Sequence, residues 1–212
     1  MDFKMVDMDT FARKKHFDYF KDMAQPYVGL TVKVDITDFL NRVKEKAYPF
    51  FLSFLYCVSH AANAVPELRQ RIAGGGIIEY AWCPTSHTVA LANDTYGYCQ
   101  LDSSHPFEEY LPYAVAAQER AKSEPSLEDT GDALSLLFIS TLPWVTYESF
   151  IQPVPSPADS NPRITWGRYQ EQDGRVFLPV STLCHHALVD GVHLSRFYQR
   201  LDGELKRFSA ER

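Results

Sequence analysis

The chain has 212 residues, enough for one full hydrophobic core or at most two small ones. Hydrophobic residues make up 45% of it and aromatic residues 14%, so there is ample material to bury. With 21 Lys and Arg against 27 Asp and Glu the net charge is −6, which argues against nonspecific nucleic-acid binding, since that needs a basic surface.

The N-terminal stretch MDFKMVDMDTFARKKHF is mixed in charge and has no apolar leader core. Asp9 or Thr10 is placed to cap a helix through Phe11, Phe17 and Phe20, with Arg13, Lys14 and Lys15 near its start. LTVKVDI, 30–36, alternates and predicts a strand. Thr37 then caps a short helix carrying Phe39, Leu40 and Val43. From Pro49, a good first helical residue, a buried helix runs to Val65, where Pro66 stops it. Its greasiest run, PFFLSFLYCV, is too short to span a bilayer. IIEYAWC, 77–83, and HTVALA, 87–92, read as strands. His105 to Lys122 reads as a helix with Phe107, Leu111, Ala114 and Val115 on one face, and Pro112 marks a kink or a later start. Residues 123–133 are a polar loop, and LSLLFISTL, 134–142, is an apolar strand covered on both sides. The proline-rich stretch 151–163 is a loop too short to divide domains. ITWGRYQ and RVFLPVSTL flank EQDG as a hairpin. After it Leu194, Phe197, Tyr198, Leu201, Leu205 and Phe208 recur at helical spacing. The expected architecture is one α/β domain over residues 1–212, a two-layer sandwich of a mixed sheet with helices mainly on one face. Cys57, Cys83, Cys99 and Cys184 form no C-x-x-C pair and read as reduced thiols of a cytoplasmic protein with no membrane attachment.

The chemistry concentrates in LCHHALVDGVH, residues 183–193, where the last strand turns into the last helix. Three readings stand side by side. Asp190-Gly191 is good N-cap chemistry, and a histidine at a strand end is commonly only a hydrogen-bonded, half-buried residue. His186, Asp190 and His193 would make a ligand trio on a continuous helix, but Gly191 and the predicted turn interrupt it, so no metal is expected. In the catalytic reading a sharp turn holds the His186 imidazole neutral and fixed at a cleft, as a general base needs, while Asp190 pairs with an arginine to lock the loop. Cys184 as a nucleophile beside a histidine is a further alternative.

HHALVDGVH resembles the HHAVCDGFH signature of the chloramphenicol acetyltransferases. FARKKHFDYF is similar to that family's R-[RK]-E-H-F segment, DITDFL to its D-I-T element, and ISTLPWVTYESF to I-S-A-L-P-W-V-[NS]-F-x-S-F. The resemblance covers nearly the whole chain in order and spacing. Condensation domains and plant alcohol acyltransferases share H-x-x-x-D-G but are roughly twice as long. Dihydrolipoamide acyltransferases carry the motif near the C-terminus behind further domains, and the LPW segment favours the chloramphenicol type.

The resemblance implies the CoA-dependent acyltransferase fold, a homotrimer with active sites between subunits, and acetyl transfer from acetyl-CoA to a hydroxyl of chloramphenicol or a similar small alcohol. By matching position His186 is the general base, Ser140 the oxyanion donor, and Thr165 the holder of a water. Asp190 pairs with Arg13. Lys46, Trp144 and Tyr169 fall near CoA, and Phe20, Ala90, Phe150 and Arg163 in the acceptor pocket. The pocket departs from the family pattern. Ala90 stands for a phenylalanine, Pro26 for a cysteine, Ala47 for an aromatic, and Arg163 for an apolar residue. That arginine is expected either to project to solvent or to offer charge to the acceptor. The departures leave open a same-fold acyltransferase with another acceptor and little chloramphenicol activity or resistance function, and a non-catalytic binder of CoA or a small molecule.

Overall fold

The structure is a computed structural model describing residues 2–92 and 94–210. In chain order it has β1 (Phe3–Met5), α1 (Lys14–Phe20), β2 (Tyr27–Asp35), α2 (Thr37–Glu45), α3 (Phe50–Asn63), β3 (Gln70–Ala73), β4 (Gly76–Tyr80), β5 (Thr85–Ala90), β6 (Tyr96–Leu101), α4 (Phe107–Ser123), β7 (Leu137–Thr141), β8 (Arg163–Trp166), β9 (Gln170–Gln172), β10 (Arg175–His185) and α5 (Gly191–Ala210). The expected mixed α/β architecture is found. The main sheet runs β2-β10-β8-β7-β5-β6, with β9 on the end of β10, and a small sheet runs β1-β4-β3. β7 pairs parallel with β5 and β8, and the other pairings are antiparallel.

Local chemistry accounts for the elements that differ from expectation. Asp9 and Thr10 bond back to the Asp7 carboxylate in a turn of their own, so they cap nothing and α1 starts at Lys14. Thr37 is the first residue of α2, its hydroxyl and N–H both donating to Asp35. Pro49 keeps extended backbone and precedes α3. Pro112 sits inside α4 on its exposed side, and the buried face is Phe107, Tyr110 and Ala114, while Val115 is exposed. α5 buries Leu194, Phe197, Leu201, Leu205 and Phe208 at the expected spacing, and the Tyr198 hydroxyl donates to Val180 O at 2.9 Å.

Side-chain alternation decides which sheet face does what. Thr182 on β10 faces α5, meeting the Tyr198 hydroxyl, and His87 and Trp166 face α3 through Phe51. Among the described residues no helix packs on the opposite face, and register lines up Thr31, Ser181, Thr165 and Ser140 across β2, β10, β8 and β7. The 142–162 segment crosses this face, with the Tyr147 hydroxyl donating to Thr165 O at 3.0 Å.

One fully buried cation joins the two sheets. Arg71 on β3 donates to the carbonyls of Leu68, Gln70, Leu134 and Leu136 at 2.7–3.0 Å, and to Cys83 Sγ at 3.5 Å. It faces no carboxylate in those contacts, so carbonyl dipoles stabilise its charge.

Candidate active site

β10 delivers the chain to a tight turn at its C-terminal end, and His186 is the first residue beyond the strand. Its N–H donates to Pro26 O at 2.6 Å, fixing the turn against the segment before β2. Its Nδ1 lies 2.9 Å from Val189 O. A carbonyl oxygen only accepts, so Nδ1 carries the proton and Nε2 is left as the basic nitrogen. Phe20 stacks on the ring at 4.0 Å between centroids. Arg13 braces the turn from α1's N-terminal side, reaching Asp190 Oδ2 at 3.3 Å and His186 O at 3.4 Å. Asp190 also accepts from Gly191 N–H at 2.6 Å, so the first residue of α5 and the Arg13 ion pair meet at one side chain. These contacts hold its carboxyl below the ordinary value, the Gly191 N–H foremost and Arg13 after it.

On the sheet face crossed by the 142–162 segment Ser140 lines a cavity of about 340 Å³ with Ser86, Thr88, Tyr98, Asp129, Phe138, Phe150 and Arg163. Thr165, one strand over from Ser140, is fully buried with its Oγ1 unpartnered. Such a hydroxyl is costly unless a water or ligand completes it. Arg163 neither projects to solvent nor offers a free charge. It is 9% exposed, its NH1 and NH2 donate to the two oxygens of Asp159 at 2.7 Å each, and the Tyr27 hydroxyl donates to the same carboxylate. Burial of the guanidinium requires that partner.

His186 and Ser140 are not brought together within one chain. His186 lies five residues past Ser181 along β10, and Ser140 lies two strands across from Ser181. At about 3.3 Å per residue and 4.8 Å per strand, their Cα atoms stand on the order of 15–20 Å apart.

A second cavity, of about 380 Å³, is lined by Phe50, Phe51, Ala90, Trp166, Tyr169 and the cations Lys122 and Arg168. Ala90 therefore sits with Tyr169, away from Phe150 and Arg163, because it stands at the end of β5 beyond Thr88. Lys46 ends α2 in solvent and Trp144 is 69% exposed, and neither lines this cavity.

The competing chemistries find less support. Burial pushes the Cys184 thiol up to about 12, the wrong direction for a nucleophile. His193 accepts the Asp190 N–H on Nδ1 and turns Nε2 to Glu67, away from a shared site with His186. Among the described residues no group of three or more His, Cys, Asp or Glu is arranged to hold a metal. Sequence reasoning missed Tyr27, Asp129, Tyr147 and Asp159. The signal for Tyr147 was present, since the family segment quoted above has phenylalanine there; the others come from loops or a strand end and show no local pattern.

A mixed sheet with one helical layer is the architecture of the CoA-dependent acyltransferases. A solved chloramphenicol acetyltransferase superposes with a TM-score of 0.84 at 23% identity, covering 96% of this chain and all of that one. The Azotobacter vinelandii dihydrolipoamide acetyltransferase follows with a TM-score of 0.69 at 19% identity, over 90% of this chain and 85% of that one. In sequence the family profile "Chloramphenicol acetyltransferase" matches residues 1–202, and the chain belongs to that family. Chloramphenicol acetyltransferase 3 of Escherichia coli is 30% identical over 95% of this chain and 96% of its own. Chloramphenicol acetyltransferase 2 of Haemophilus influenzae is 30% identical over the same shares. Family and fold support an acetyl-transferring enzyme.

Proposed function

We propose that this protein is an acetyl-CoA-dependent O-acetyltransferase acting on a hydroxyl of chloramphenicol or a similar small alcohol. The observation that carries the reading is the His186 ring, proton-bearing on Nδ1 against Val189 O and so basic at Nε2. His186 takes the acceptor's hydroxyl proton as the oxygen attacks the thioester carbonyl, and returns a proton to the departing CoA thiolate. A positioned base of this kind supplies about 10²–10⁴ in rate. Ser140 donates to the developing oxyanion, and Thr165 Oγ1 holds a water beside it. Asp190 and Arg13 keep the His186 turn in shape and take no part in proton transfer.

The separation of His186 from Ser140 supports a site completed by a second copy of the chain, as in a homotrimer with its sites between subunits. The aromatic rings and cations of the second cavity suit the adenine and phosphates of CoA, with Tyr169 inside it and Lys46 and Trp144 outside its lining. The whole described chain, as one domain, would act in the cytoplasm without metal. The test is thiol release from acetyl-CoA with chloramphenicol and a panel of small alcohols, for wild type and His186→Ala. Turnover that depends on His186 and on an alcohol is expected. Equal thiol release by both forms would remove His186 as the base, whereas none with any alcohol while CoA still binds would leave a binding protein instead.

A further inference from the structure

The charges around the Ser140 cavity identify a class of acceptor. Arg163 brings a cation to the wall, but Asp159 neutralises it at two points and Asn161 O accepts a further NH1 bond at 3.2 Å. His87 adds no charge at neutral pH, because its ring packs among α3 and α4 side chains and burial holds its pKa at about 4. Asp129 is different. Its Oδ1 accepts from Ser86 Oγ at 2.6 Å and Gln100 Nε2 at 3.1 Å, both neutral donors, and it belongs to no ion pair among the described residues. Tyr98 and Phe150 stand in the same lining, while the Phe138 ring already carries the Arg163 guanidinium at 5.5 Å. Arg120 borders a neighbouring cavity with Asp129 but forms no ion pair with it, and a carboxylate outside any ion pair beside aromatic faces is an arrangement that receives an organic cation.

We propose that the acceptor is a cationic amino alcohol, its ammonium held by Asp129 against the aromatic wall and its hydroxyl at Ser140. The proposal rests on the O-acetyltransferase reading. Ser86 pairs with Phe138, two residues before Ser140 on the neighbouring strand. That offset is about 8 Å, so the ammonium lies on the order of 6–10 Å from the reacting oxygen, about five to eight bonds away in an extended acceptor. The amine stays protonated throughout. The hydroxyl oxygen forms the ester bond, the thioester C–S bond breaks, and the hydroxyl proton ends on the CoA thiol.

The experiment compares three acceptors of one shape with acetyl-CoA: benzyl alcohol bearing a para-aminomethyl, para-ethyl or para-carboxymethyl group. Wild type is expected to favour the aminomethyl compound over the ethyl compound by roughly ten- to a hundredfold in kcat/KM, with the carboxymethyl compound poorest. Mass spectrometry should place the acetyl group on oxygen. The preference should shrink in high salt and fall to within about threefold in Asp129→Asn, where one formal charge is gone. Equal or reversed preference in wild type, N-acetylation, or an unchanged preference in Asp129→Asn overturns the proposal. Turnover of the ethyl compound without cation preference, or turnover of chloramphenicol with none of the three, would overturn it and keep the O-acetyltransferase reading, whereas no thiol release with any of the three or with chloramphenicol would remove both.

Discussion

At the His186 corner most of the geometry comes from within residues 183–193, with Arg13, Phe20 and Pro26 added from the N-terminal segment. The Ser140 face is assembled from six strands and two loops, and its members lie between residues 27 and 181. The corner fixes one ring through main-chain carbonyls. The face holds a row of hydroxyls and two carboxylates whose positions depend on strand register and loop placement. On the proposed reading, proton transfer belongs to a locally specified element, while stabilisation and acceptor choice belong to a surface set by tertiary structure. A one-residue change can disable the first, whereas the second can drift in specificity without disturbing the base.

The comparison breaks hardest if the two regions do not serve one site. His186→Ala is expected to lower kcat by about 10²–10⁴ and Ser140→Ala by about 10²–10³. Co-refolding the two inactive variants should then restore activity at roughly a quarter of the interfaces, if each site takes its histidine from one copy and its serine from another. No recovery in the mixed oligomers, with both variants folded, would place the residues in separate sites.

The ion pairs sharpen the contrast in stability. Asp159→Asn leaves the buried Arg163 guanidinium without its anion, and urea unfolding should show a loss of about 3 kcal/mol. On the helix-facing side of the same sheet, His87 stays neutral down to about pH 4 in the fold, while the unfolded chain takes its proton below 6.5. Its contribution is complete above pH 6.5 and is lost as pH falls toward 4, about 3 kcal/mol over that window. His87→Phe should flatten that part of the stability–pH profile. At the corner, Asp190→Asn should cost less than about 1 kcal/mol, because its carboxylate is 44% exposed. That contribution is present above the ordinary value of 3.8 and is lost as pH falls below it. Its larger effect should fall on kcat, as a misplaced imidazole.

The same contrast explains what the sequence made legible. The last helix and the 183–193 turn were readable because periodicity and capping are local. β6 escaped notice since YGYCQL carries a glycine that reads as a turn, yet Gly97 is there because a Cβ would stand 3.2 Å from Pro125. β3 has a charged residue in a core position, which no hydrophobic pattern marks. Arg163 was noticed as a departure, but its neutralisation by Asp159 in the loop before β8 could not be anticipated from spacing alone. Ala90 and Phe150 were read as one wall and lie in different cavities, because the end of β5 projects past the Ser140 row.

The Arg71 joint has a consequence for how such a chain can diverge. Most of its acceptors are backbone oxygens, and every residue type supplies one, so the identities at Leu68, Gln70, Leu134 and Leu136 are free to drift as far as this contact is concerned. The guanidinium has no such latitude, since a lysine could not reach carbonyls on both sides at once. Substitutions should accumulate around this position and spare the arginine itself, leaving the two sheets docked in relatives whose loops share little else.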